Sequence, residues 1–121
     1  MSASSVLSGV TWQWQDRDVL RLNVGIKISG GDIRGLVDAV IPALDLVSGS
    51  VGILVNAQMS SVPAEKLIGL LRKVRAHRHT RAMAVVMPRG DTSMWYAPPA
   101  ALGLFSQEHE ALAWLSSRAE K

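Results

Sequence analysis

Val51-Gly-Ile-Leu-Val-Asn-Ala57 and the segment that follows it, Pro63 to Ala76, decide the fold of this 121-residue chain. The first is short, apolar and β-branched, with Ser48-Gly49-Ser50 before it and Gln58-Met-Ser-Ser61 after it. Such a run reads as a strand buried on both faces, and therefore as a central one. In the second, Leu67, Leu70, Leu71 and Val74 recur at i, i+3, i+4 and i+7, while Lys66, Arg72 and Lys73 face away. That spacing predicts an amphipathic helix. Ser60 or Ser61 is expected to cap it, with Pro63 in the first turn, where a missing N–H costs little.

Working outward, Arg81-Ala-Met-Ala-Val-Val-Met87 is a further apolar strand, closed by Pro88-Arg-Gly-Asp91. Strand, helix and strand at this spacing require a parallel pair. Upstream, Thr11 to Gln15 alternates so that Trp12 and Trp14 share a face, Asp16-Arg-Asp18 supplies turn chemistry, and Val19-Leu-Arg-Leu-Asn-Val24 completes a hairpin. Gly25 to Gly31 is a linker whose glycine spacing does not match a phosphate-cradling loop. Asp32 is the expected N-cap of a helix with a stripe of Ile33, Leu36, Val37, Val40, Leu44 and Val47; Pro42 lies on its polar side with Asp38 and Asp45, where it curves the helix. Downstream, Met94-Trp-Tyr96 and Pro98-Pro99 read as one short helical turn that packs something. Leu102 to Phe105 is the last strand, and Ser106 caps a helix from Gln107 to Arg118 that docks through Ala111, Trp114 and Leu115.

The predicted fold is a single α/β domain over residues 11–119, preceded by a Ser-rich lead-in at 1–10, with a mixed, mainly parallel five-stranded sheet and helices largely on one side. A chain of this length buries roughly two-thirds of its unfolded surface and needs no staple. Zero cysteine excludes disulfides, zinc-thiolate sites and a cysteine nucleophile, and fits a reducing compartment. Met1-Ser-Ala-Ser-Ser5 lacks a basic n-region, and Asp38 and Asp45 interrupt the most apolar stretch. A soluble, cytoplasmic protein with no integral membrane segment is expected. The net charge of +3 is unevenly spread: Lys66 to Arg89 holds seven basic residues and no acid.

The order β, β, α, β, α, β, short turn, β, α resembles a STAS-type domain, the anti-sigma-factor-antagonist fold, and more closely its SpoIIAA-like branch. The resemblance rests on the strand ending in Val55-Asn56, on Leu67-Ile-Gly-Leu-Leu71, on Arg81-Ala-Met-Ala-Val-Val86, and on Phe105-Ser-Gln-Glu-His-Glu-Ala-Leu-Ala-Trp-Leu115. It covers nearly the whole chain from Trp12 onward. It implies a non-enzymatic regulatory module that binds a partner protein. In that family, phosphorylation of a serine in an Asp-Ser/Thr-Ser-Gly motif opening the second helix releases the partner, but here Ala64-Glu-Lys-Leu67 stands at that place. The resemblance therefore predicts the module without its phosphoserine switch.

Candidate chemistry is sparse. His77, His79 and His109 have no carboxylate at motif spacing, no Gly-x-Ser-x-Gly elbow occurs, and neither enzyme activity nor a metal or other cofactor is expected. The cations Arg72, Lys73, Arg75, Arg78 and Arg81 complement the negative end of the second helix, and they are also the candidate contacts for an anion. Nucleic acid is not expected, because no aromatic side chain interleaves with these charges. Met59, Met94, Trp95 and Tyr96 are the candidate lining of a partner groove at the carboxyl ends of the strands. That groove is expected to take a hydrophobic patch of a second subunit in a homodimer or an apolar small molecule; the alternative function is a carrier or sensor of an apolar or anionic, lipid-like small molecule. The face of Trp12 and Trp14 is the next candidate for self-association.

Overall fold

The computed structural model describes residues 10–25, 30–58, 63–87, 93–95 and 100–117. Strands β1 (Val10–Asp16) and β2 (Val19–Val24) form the expected hairpin, with Trp12 opposite Leu22 and Gln13 opposite Arg21. The parallel core follows: β2 pairs with β3 (Val51–Asn56), β3 with β4 (Thr80–Val86), and β4 with β6 (Ala101–Phe105). The five expected strands are all present. A sixth, β5 (Ser93–Trp95), runs antiparallel along the outer edge of β6, where the sequence predicted a helical turn. Pairing to β6 supplies that backbone with a ladder that a single isolated helical turn lacks. The order across the sheet is β1-β2-β3-β4-β6-β5.

Helix α1 (Gly30–Asp45) buries the predicted stripe: Ile33, Val40 and Leu44 are wholly enclosed, and Leu36 and Val37 nearly so. Pro42 lies inside the helix on its exposed side, as its spacing predicted. Asp32 stands in the first turn rather than at the N-cap, because the helix starts two residues earlier. The predicted second helix is two: α2 (Ala64–Leu70) and α3 (Arg72–Arg75), divided at Leu71 with φ −94° and ψ 11°. Hydrogen bonds of 3.0 Å from Leu71 N–H to the Leu67 carbonyl and from Arg75 N–H to the Leu71 carbonyl carry the ladder across the division. Gly69, two residues before it, is the weakest helix former of the segment. Pro63 occupies the N-cap with no side-chain cap, and Ser60 and Ser61 lie outside the described residues.

Among the described residues, three of the four helical segments share one face. Leu20, Leu22, Ile53, Val55, Met83 and Val85 meet α1, Leu67, Leu71 and Val74 there. On the other face, α4 (Glu108–Ser117) packs Ala111 and Leu115 against Leu54, Ala82, Ala84, Val86 and Phe105. Among the described residues no helix is long and apolar enough to cross a membrane.

Candidate functional site

The five cations grouped by the sequence part company in the fold. Arg81 falls in a bulge, since Val51 pairs with Thr80 and Gly52 with Ala82. The extra residue re-aims its side chain. Its guanidinium is buried, with Nη2 3.3 Å from the Asp18 carboxylate and Nη1 donating to the Ser50 carbonyl at 3.1 Å. Gly52 makes the room: a β-carbon there would stand 3.2 Å from Nη2 and from Leu115 Cδ2. Arg75 donates through Nε to the Ala100 carbonyl at 2.8 Å, tying α3 to the start of β6. Arg78 is exposed and donates to its neighbour His79.

Arg72 and Lys73 remain, and they meet a residue the sequence did not single out. With Arg34 and Asp38 of α1 they line an open groove of about 470 Å³ between α1 and the α2/α3 pair. Val37 and Leu70 give the groove its apolar surface, and a β-carbon at Gly69 would project into open space. Three cations against one carboxylate bias it toward an anionic occupant. Arg34 carries no sequence signal of its own, because only the packing of α1 on α2 and α3 brings it across from Arg72.

His77 and His79 are structural, whereas His109 is exposed on α4. The His79 backbone N–H donates to His77 Nδ1 at 3.1 Å, so the proton of the neutral ring lies on Nε2 and is donated to Asp45 Oδ1 at 2.7 Å. His79 carries the opposite tautomer: a carbonyl only accepts, so Nδ1–H donates to the Leu44 carbonyl at 2.7 Å and Nε2 accepts from Arg78. Both rings bind the last turn of α1. Thr80, buried behind them, donates its hydroxyl to the Val74 carbonyl at 2.7 Å and closes the end of α3.

A second polar group lies on the opposite face. Arg21 forms two parallel bonds of 2.8 and 2.7 Å to the Glu108 carboxylate at the start of α4, while its Nε donates to Asn23 Oδ1, and Asn23 donates to Thr11. The hydrogen bonds from Arg21 hold the Glu108 carboxyl below its ordinary range, against the opposing effect of burial, and the same bonds raise Arg21. This network seats α4 against the hairpin.

At the carboxyl edge, Gln58 Nε2 donates to the Ser106 carbonyl at 3.2 Å, linking the ends of β3 and β6. Met94 and Trp95 lie on β5, opposite Gly103 and Leu102, so β4 and β6 separate them from β3 by three strand spacings, about 14 Å. Met59, Tyr96 and the side chains of Met94 and Trp95 lie outside the described residues. Among the described residues no cluster of three or more His, Cys, Asp or Glu side chains forms a metal site. No protein-family model, curated protein or solved structure matches the chain.

Proposed function

We propose that the protein is a non-enzymatic, cytoplasmic interaction module of the SpoIIAA-like STAS kind, working without the phosphoserine switch, and that it self-associates as a symmetric pair. The observation that carries the reading is the α1–α2/α3 groove, whose lining combines Arg34, Arg72 and Lys73 with Val37 and Leu70 and a single carboxylate, Asp38. That combination fits an acidic, partly apolar segment of a protein partner, with the cations steering and the apolar floor retaining it. The element order that underlies the family resemblance supports it, as does the use of His77 and His79 in holding α1.

The test is comparative affinity capture from native extract with the unaltered chain and with the double substitution Arg34→Glu, Arg72→Glu. Both positions are exposed, so folding is retained and the partner captured by the unaltered chain is lost. Equal capture by the two forms, or turnover in a broad substrate screen, overturns the reading. The volume of the groove also favours a second reading, a carrier of an apolar or anionic small molecule, since about 470 Å³ lies within the range of small-molecule sites. Native mass spectrometry separates the two by the presence or absence of a bound small mass.

A further inference from the structure

The two edges of the sheet are unequally protected. On one side β5 is three residues long, short enough to offer little ladder to another chain. On the other, β1 runs seven residues, and among the described residues it pairs only with β2. Its sequence, Val-Thr-Trp-Gln-Trp-Gln-Asp, is rich in strand formers and has neither Lys nor Pro. The single charge, Asp16, falls at the end, beyond a register shift between Trp14 and Asp16. Trp14 is 40% exposed, and Trp12 is half-buried against the core. The charge and the register shift guard only the far end of the strand, and from Val10 to Trp14 it carries none of the charges, prolines or bulges that keep edge strands apart.

We infer that the edge of β1 facing away from β2 pairs antiparallel with β1 of a second copy, across a twofold axis at Gln13, to make one sheet continuous through both subunits. The inference deepens the self-association proposed above by assigning its surface. Opposite residues in an antiparallel pair point to the same face, so the sequence must match itself when reversed. Over Thr11 to Gln15, short of the register shift at Asp16, it does about Gln13: Trp12 meets Trp14 of the second copy twice on the α1 face, while Thr11 meets Gln15 twice and Gln13 meets itself on the other. Slipping by one residue would set tryptophan against glutamine. Centring on Trp12 or Trp14 instead leaves one end of the strand without a partner. The interface is isologous, as a twofold requires, and it covers the Trp14 ring.

Sedimentation velocity at micromolar concentration tests this with a charge pair on the axis. The unaltered chain is expected to be dimeric. Gln13→Glu and Gln13→Lys each place two like charges opposite one another and weaken association by about tenfold or more. Mixing the two variants restores a dimer. The glutamate faces Arg21 across the hairpin, so that variant keeps its fold, which circular dichroism verifies. Trp14→Thr, an exposed strand-compatible substitution, gives a second route to monomer. A monomeric unaltered chain overturns both the self-association and its surface. A dimer that survives Gln13→Glu, Gln13→Lys and Trp14→Thr overturns the β1 edge but leaves self-association standing, and single-variant monomers that fail to recombine overturn the axis at Gln13.

Discussion

The two faces of the sheet are built on different principles. The face under α1, α2 and α3 is filled by branched and long aliphatic side chains, Leu20, Leu22, Ile53, Val55, Met83 and Val85, all wholly enclosed. The face under α4 intersperses Ala82, Ala84, Gly52 and Gly103 with Leu54 and Val86 along its inner strands, and it houses the buried guanidinium of Arg81. Volume on one face is supplied mainly by the strands; on the other, Leu115 and Trp114 of α4 share it with Phe105, Leu54 and Val86 of the strands. A face of small residues lets one short helix approach closely, and it leaves no slack for added atoms.

The largest effect expected from breaking this contrast is on the aliphatic face. Ile53→Ala opens a cavity beneath α1 and is expected to cost about 2–5 kcal/mol, read as a lowered denaturant midpoint. On the other face the sign of the volume change reverses. A β-carbon at Gly103 would stand 2.7 Å from Phe105 Cε2 and 3.3 Å from Trp114 Cζ3, so even Gly103→Ala is expected to cost about 1–3 kcal/mol by overpacking. A Gly103→Ala chain as stable as the parent would show that α4 rides loosely on the sheet.

The ion pair at the start of α4 sharpens the comparison through pH. Because Arg21 hydrogen-bonds Glu108 and holds its folded pKa below the unfolded value, the pair stabilises the fold fully above the unfolded value. That contribution is lost as pH falls through the depressed folded value. Glu108→Gln is therefore expected to reduce stability at neutral pH and to flatten its acid limb, as followed by thermal melts over a pH series. An acid limb identical in the two forms would remove Glu108 from the account of α4 docking. The smallest effect belongs to the histidines: His79→Phe removes the bond to the Leu44 carbonyl and is expected to cost about 1 kcal/mol, seen as faster amide hydrogen exchange in the last turn of α1. Unchanged exchange there would mean the helix end is held by packing alone.

Periodicity made the aliphatic face legible in advance. The stripe of α1, the run Val51–Val55 and the leucines of α2 each announce one side of a layer, and Pro42 kept its predicted place inside α1. The α4 face was less legible, because alanine and glycine in β4 and β6 show that something comes close without showing what. The bulge at Arg81 escaped altogether: it is a property of pairing between β3 and β4, and it moved a residue grouped with surface cations into the interior. Arg34 was missed for a related reason, since the groove exists only between two helices that are distant in sequence. Ser93–Trp95 gives no strand signal in the sequence, because three residues are too few for alternation to show. Of the candidate site, Arg72 and Lys73 stood out in the sequence; their partners on α1 needed the fold.

His77 and His79 hold opposite tautomers, each set by one contact to α1 and one to its own loop. Two imidazoles two residues apart thus carry distinct nitrogen resonances while the helix end is seated, and averaged ones when it lifts. The chain contains an internal gauge of fraying at α1, readable by nitrogen NMR of isotope-enriched protein without altering a single residue.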